Sequence, residues 1–218
     1  MGSSRLPGKV LADLDGTPLL VRLVRRLRGA QLLPEVVVAT TDLPQDDVVA
    51  GAIAAEDVHV FRGDPLDVLG RFCAVAEAFD IQLIARVSAD SPFLDAATVD
   101  LVASAYDGAG VDIVQSHREP GWPVGTAVEV FERACLARLD LTAREARHRE
   151  HVTLYAYEHP DAFTTRWVPP PEDCRGEDLS IVVDVPEDLV RARRLQERVP
   201  GDAPLGAVVA AARSLERG

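Results

Sequence analysis

Lysine is almost missing from this chain of 218 residues: Lys9 stands alone against twenty-two arginines. Basic charge as a whole is scarce. A net charge of −12 and a pI near 4.8 exclude a nucleic-acid coat or a protein held on an anionic membrane surface. Cysteine is sparse too. Cys73, Cys135 and Cys174 are odd in number, far apart and without a CxxC pair, so they read as free thiols and not as a zinc site. No apolar run approaches the roughly 18 residues of a membrane span, and nothing near Met1 reads as a signal peptide. A cytoplasmic protein with no membrane or nucleic-acid partner is expected. GxSxG, HExxH and GxGxxG are absent as well, so hydrolase-triad, zinc-protease and dinucleotide readings have no support.

What is present starts with the first nine residues, Met1-Gly-Ser-Ser-Arg-Leu-Pro-Gly-Lys9. Gly2 and Gly8 let backbone approach an anion, Ser3 and Ser4 add hydroxyl donors, and Arg5 and Lys9 bring two positive charges. A compact ammonium suits a phosphate held as a point charge. Walker A spacing does not fit, because five residues separate the glycines and Val10 follows the lysine. The alternative is a loose Gly/Ser tail.

Short β-branched runs alternate with helical segments, which predicts an α/β fold with a mostly parallel sheet covered on both faces. Strands are expected at 35–40, 58–61, 82–87, 111–115, 126–131, 163–168 and 180–184. Helices are expected from Pro18 to about 28, 46–55, 65–79, after Asp95, through 151–157, after Pro186 and over 205–215. Arg22, Arg25, Arg26 and Arg28 fall on the face of the first helix opposite its leucines. One domain is expected over 1–218, with a substrate-side insertion at about 116–170. A Gly-rich phosphate loop in such a sheet follows a strand, and none precedes Gly2 in this sequence. A strand upstream of Met1, the sole methionine, is therefore expected; a native mass matching 218 residues would contradict it.

Two carboxylates end predicted strands. Asp90 lies in Arg86-Val-Ser-Ala-Asp-Ser-Pro92 and Asp184 in Val183-Asp-Val-Pro-Glu-Asp188. Strand carboxyl ends are where α/β sheets keep ligands, and two such aspartates suit Mg²⁺ shared with substrate phosphates. Each also reads as a local cap, Asp90 in an Asx turn and Asp184 ahead of Pro186. Arg71 and Arg86 are candidates for nucleotide or sugar-carboxylate contact, or surface ion pairs. His148 and His151 lack the remainder of a zinc set.

Taken together, Met1 to Leu11, Val37-Val-Ala-Thr-Thr-Asp42, Val60-Phe-Arg-Gly63 with Asp67-Val-Leu69, Arg86 to Pro92, Val128-Glu-Val-Phe131, Arg149-Glu-His-Val-Thr153 and Val183 to Asp188 are informative. In this order the chain resembles the cytidylyltransferases of the spore-coat polysaccharide type, relatives of CMP-sialate and CMP-KDO synthetases. The resemblance implies a Rossmann-like three-layer sandwich of the nucleotide-diphospho-sugar transferase type. It implies transfer of CMP from CTP to a sugar, usually acidic, with pyrophosphate leaving. Nucleotide-phosphate contacts are carried onto Gly2, Ser3, Ser4, Arg5 and Lys9, with Arg5 and Lys9 catalytic, and Arg71 and Arg86 stay the further nucleotide-binding candidates read from their positions. Mg²⁺ is carried onto Asp90 and Asp184, and the acceptor onto Glu129, Arg149 and His151; a homodimer is a further implication. Three departures are visible: no Ile-Ile-Gln-Ala-Arg strand precedes the loop, Gly-Asp-Cys-Pro reads Ala89-Asp-Ser-Pro92, and Asp-Gly-x-Asp reads Val124-Gly-Thr-Ala127. The last removes two acceptor-side carboxylates. A transferase for another nucleotide, or a nucleotide-binding module without turnover, stays open.

Overall fold

The computed structural model describes residues 2–3 and 5–217. A hairpin of β1 (Asp13–Leu14) and β2 (Thr17–Pro18) leads into α1 (Leu19–Leu27). Then follow β3 (Val37–Thr41), α2 (Asp47–Ile53), β4 (His59–Gly63), α3 (Val68–Ala78), β5 (Leu83–Val87) and α4 (Ala96–Ser104). β6 (Ile113–Gln115) and β7 (Val128–Glu132) precede α5 (Arg133–Thr142), α6 (Ala146–Glu150), α7 (Leu154–Glu158), β8 (Thr165–Trp167), α8 (Pro186–Gln196) and α9 (Leu205–Glu216). The alternation of strand and helix is the α/β order read from the sequence.

Strand pairing makes two groups. β3 and β4 pair in parallel, and β5-β7-β6-β8 form a second sheet in which β7 runs antiparallel to both neighbours while β6 and β8 are parallel. β7 therefore sits inside the sheet, so the 116–170 segment is built into the core. Side chains alternate across this sheet as the pleat requires. Ile84, Ile113 and Phe131 pack on one face with Leu69, Leu136, Leu139 and Val152. Leu83, Val114, Val128 and Val130 pack on the other with Leu94, Val99 and Val102. Helices thus cover both faces.

No strand among the described residues lies between β3 and β5. An apolar groove of about 560 Å³ opens there, lined by Val36 to Ala39 and Leu83 to Ala85 at its strand edges and by side chains of α1 and α3. Gly2 lies near the Gln45 side chain, beyond the carboxyl end of β3.

Four local readings differ from the structure. Residues 180–184 are extended but form no strand, with one parallel bridge from Ser180 to Val124. The single helix expected through 151–157 is two short ones, broken at Val152, whose φ of 34° no β-branched residue adopts without strain. α5 was not expected; its buried stripe is only Cys135, Leu136 and Leu139, while Leu141 faces solvent, which blurs the helical period. The arginines of α1 are not a free polar face. Arg22 is buried, and the Arg26 guanidinium donates to the carbonyls of Phe93, Leu94 and Ala203.

Candidate active site

The loop of residues 5–12 is a folded turn. Lys9 N–H donates to the Leu6 carbonyl, and Leu11 and Ala12 donate back to Gly8 and Lys9. Gly8 has φ 73°, the left-handed conformation that glycine enters without penalty, and it immediately precedes the single turn Lys9–Leu11. Leu6 packs against the core that holds Leu14 and Phe93, while Val10 and Leu11 pack against Leu20 and Val24. Apolar side chains thus anchor the loop and leave Lys9 projecting from it. Ser3 accepts from Leu6 N–H and closes the entry to the turn. Ser4 lies outside the described residues.

Lys9 Nζ reaches both predicted carboxylates, 2.8 Å from Asp90 Oδ2 and 2.6 Å from Asp184 Oδ1. Arg5 adds a 3.2 Å contact to the second Asp184 oxygen from a mostly exposed position. Burial by itself lowers the ammonium's pKa, but the hydrogen bonds and charges of Asp184 and Asp90 outweigh it, and the net shift is upward. The four side chains brought together here are separated by up to 179 residues of sequence.

Both aspartates are positioned by backbone. Asp90 follows β5 in a turn closed by Ser91 N–H to Ser88 and Leu94 N–H to Ser91, and its own carbonyl accepts from Val183 N–H at 2.9 Å. Arg26, bonded to the carbonyls of Phe93 and Leu94, fixes the far side of that turn. Asp184 is placed by Asp188, whose carboxylate accepts from the N–H groups of Asp184 and Val185 at the start of α8. Asp188 supplies the cap, so the Asp184 carboxylate faces Lys9. The capping alternative for Asp184 fails for that reason. Upstream, Gly125 (φ 103°) passes so close to the 181–182 backbone that a Cβ would lie 2.6 Å from Val182 N.

The acceptor candidates separate. Glu129 is buried on β7 and accepts from Thr153 Oγ1 and Tyr157 OH at 2.7 Å and from Arg86 Nη1 at 2.5 Å. His117 Nε2 lies 3.7 Å away. Burial raises a carboxyl's pKa, yet Arg86, His117 and the two hydroxyl donors reverse this and hold Glu129 below its usual range. Burial beside the same carboxylate pushes the Tyr157 hydroxyl upward. The Arg118 guanidinium sits 4.0 Å over the Tyr157 ring. β5 and β6 both run antiparallel to β7, so Asp90 and the His117-Arg118 loop leave the sheet at one edge.

Arg149 is placed differently. Its guanidinium is spent on Asp67, at 2.6 and 2.8 Å, and on Asp140 at 2.7 Å, which pins α6 to α5 and to the start of α3. His151 is exposed at the end of α6. Arg71 lies by the carboxyl end of β4, with its stem against Gly63 and one donor on the Asp64 carbonyl, and its Nε is buried without a hydrogen bond in the structure. Residues the sequence reading passed over are Thr153, Tyr157, His117, Arg118 and Asp188. Asp188 could have been found, because a carboxylate three residues into a helix after an extended stretch can reach back to the N–H groups before it.

Among the described residues no three His, Cys, Asp or Glu side chains converge. His148 is buried against Glu158 at 2.7 Å, which spends it structurally. Asp90 and Asp184 are already gathered around a cation, and two carboxylates with open positions fit an ion such as Mg²⁺, which takes the rest of its oxygens from substrate and water.

This is the fold of the nucleotidyltransferases. The chain superposes on a cytidylyltransferase from Leptospira borgpetersenii with a TM-score of 0.93 at 24% identity, over 100% of this chain and 92% of that one. It superposes on a CMP:2-keto-3-deoxy-manno-octonic acid synthetase complexed with CTP with a TM-score of 0.66 at 18% identity, over 90% and 94% of the two chains. In sequence, the cytidylyltransferase family pattern matches residues 1–202. The spore coat polysaccharide biosynthesis protein SpsF of Bacillus subtilis is 32% identical over 209 residues, 94% of this chain and 85% of that protein. The chain belongs to the cytidylyltransferase family, nucleotidyltransferases that use CTP to place CMP on a sugar. No helix among the described residues is long and apolar enough to cross a membrane.

Proposed function

We propose that this enzyme transfers CMP from CTP to a hydroxyl of an acidic sugar, releasing pyrophosphate, in the synthesis of a surface polysaccharide. The observation that carries the site assignment is Lys9, held between Asp90 and Asp184 at the sheet's carboxyl edge. Lys9 and Arg5 would bind the triphosphate and offset charge on the departing pyrophosphate. Asp90 and Asp184 would hold Mg²⁺, which supplies neutralisation of the phosphate oxygens when bound. The sugar hydroxyl attacks the α-phosphorus in line with the leaving group, and positioning contributes most of the rate.

The acidic acceptor is supported by charge. Arg86 is paired with the buried Glu129, while the Arg118 guanidinium lies over the Tyr157 ring and would be the charge offered to a sugar carboxylate; Val124 and Ala127 stand where the family pattern has acids. The relatives' names point the same way: curated 3-deoxy-manno-octulosonate cytidylyltransferases match about half of this chain at 32–38% identity. The test is to incubate the protein with CTP, Mg²⁺ and a panel of sugar acids and neutral sugars while following pyrophosphate. Release with an acid and not with its neutral counterpart is expected. CTP binding without turnover on any acceptor would instead identify a binding module.

A further inference from the structure

We propose that Lys9 occupies the metal position in the nucleotide-free enzyme, so that a divalent ion enters only together with a nucleotide. The inference rests on the reading of Asp90 and Asp184 as the metal-binding pair. Asp90 Oδ2 and Asp184 Oδ1 hold the Lys9 ammonium at 2.8 and 2.6 Å, so an ion bound by this pair of carboxylates would compete with it for their oxygens. Magnesium–oxygen bonds are about 2.0–2.1 Å, shorter than either ammonium contact, so an ion that takes these oxygens would displace the ammonium from them. Two cations cannot share that space, and one must leave.

Charge arithmetic gives the direction. Lys9 and Arg5 against Asp90 and Asp184 sum to zero, so these four side chains by themselves offer no net attraction to a dication. Among the described residues no third acid joins the two as a metal-holding group, and Asp188, whose carboxylate accepts from the Asp184 N–H, is itself paired with Arg191. A triphosphate changes it: phosphate oxygens give Lys9 and Arg5 new partners and free both carboxylates. Lys9 sits on a glycine-led turn anchored by Leu6, Val10 and Leu11, so the stem can redirect its head group while the backbone stays in place. Nucleotide and metal then bind with positive coupling, and each tightens the other by the same factor.

The test measures Mn²⁺ binding by electron paramagnetic resonance, with and without a non-hydrolysable CTP analogue. Wild-type protein is expected to bind Mn²⁺ weakly alone and at least about tenfold tighter with the analogue. Lys9→Met, checked by circular dichroism and with Lys9→Gln as a second variant, is expected to bind Mn²⁺ at least about tenfold tighter than wild type without nucleotide. Adding Asp184→Asn should abolish that gain. Folded Lys9 variants that bind the ion no better than wild type overturn the inference and leave the metal assignment standing. A gain that survives Asp184→Asn also overturns it. If analogue-dependent Mn²⁺ binding by wild type is untouched by Asp90→Asn, the metal assignment itself falls and takes the inference with it.

Discussion

Two carboxylate clusters lie at the same edge of the sheet and are built in opposite ways. Around Lys9, side chains on three separate loops meet while partly exposed, and each ion pair can be exchanged for a ligand. Around Glu129, a carboxylate 1% exposed is held by Arg86, Thr153 and Tyr157 from the interior. A buried charge left without partners costs several kcal/mol, so the second cluster must stay intact in every state. The first has less to lose and can reorganise. On the proposed function, the difference separates charges kept for chemistry from a charge that holds the walls in place.

Substitutions can break this contrast. Lys9→Ala should lower turnover by on the order of 10²–10³-fold, about 3–4 kcal/mol of transition-state stabilisation, with little change in thermal midpoint. Steady-state pyrophosphate release and calorimetry check both halves. Glu129→Ala should do the reverse first, costing about 3–5 kcal/mol of stability in urea titrations because Arg86 loses its partner. If that variant melts like wild type, the structural role assigned to Glu129 is wrong. Gly125→Ala forces a Cβ against the Val182 backbone at positive φ and should cost about 2 kcal/mol.

Arg149→Ala sharpens the contrast from the acceptor side. Loss of the bonds to Asp67 and Asp140 should cost about 1–2 kcal/mol, while turnover per folded molecule and the acceptor KM stay near wild type. A large rise in KM would restore its role as an acceptor ligand. The smallest effect concerns acid. The folded-state pKa of Glu129 is depressed, so its contribution is full above the unfolded value near 4.5 and drains away as pH falls below it. Stability of wild type should therefore drop more steeply with acid than that of Glu129→Gln, by at most about 1.4 kcal/mol per pH unit.

Much of this was legible in the sequence, and the limits have physical causes. Strand and helix order followed from β-branched runs and apolar periodicity, and a solitary lysine among glycines marked the loop. Asp90 and Asp184 were visible because each ends an extended apolar run. What stayed hidden were partnerships across distance: Glu129 finds Thr153 and Tyr157 on a helix reached only through a strained Val152. Arg149 carried an acceptor role by resemblance, and nothing local revealed that Asp67, 82 residues away, would claim it. The extended 180–184 segment has the composition of a strand, but it meets Val124 and Asp90 through single contacts and not along a ladder.

The groove between β3 and β5 has a mechanical consequence. Among the described residues no backbone ladder joins β3 to β5, and side chains of α1 and α3 line the space between the two half-sheets, so in residues 1–218 by themselves this seam is held by side-chain packing alone. Amide protons along the facing edges should exchange with solvent by sub-global opening well below the free energy of complete unfolding. The β3–β4 half would loosen as a separate cooperative unit while the β5–β8 half still holds.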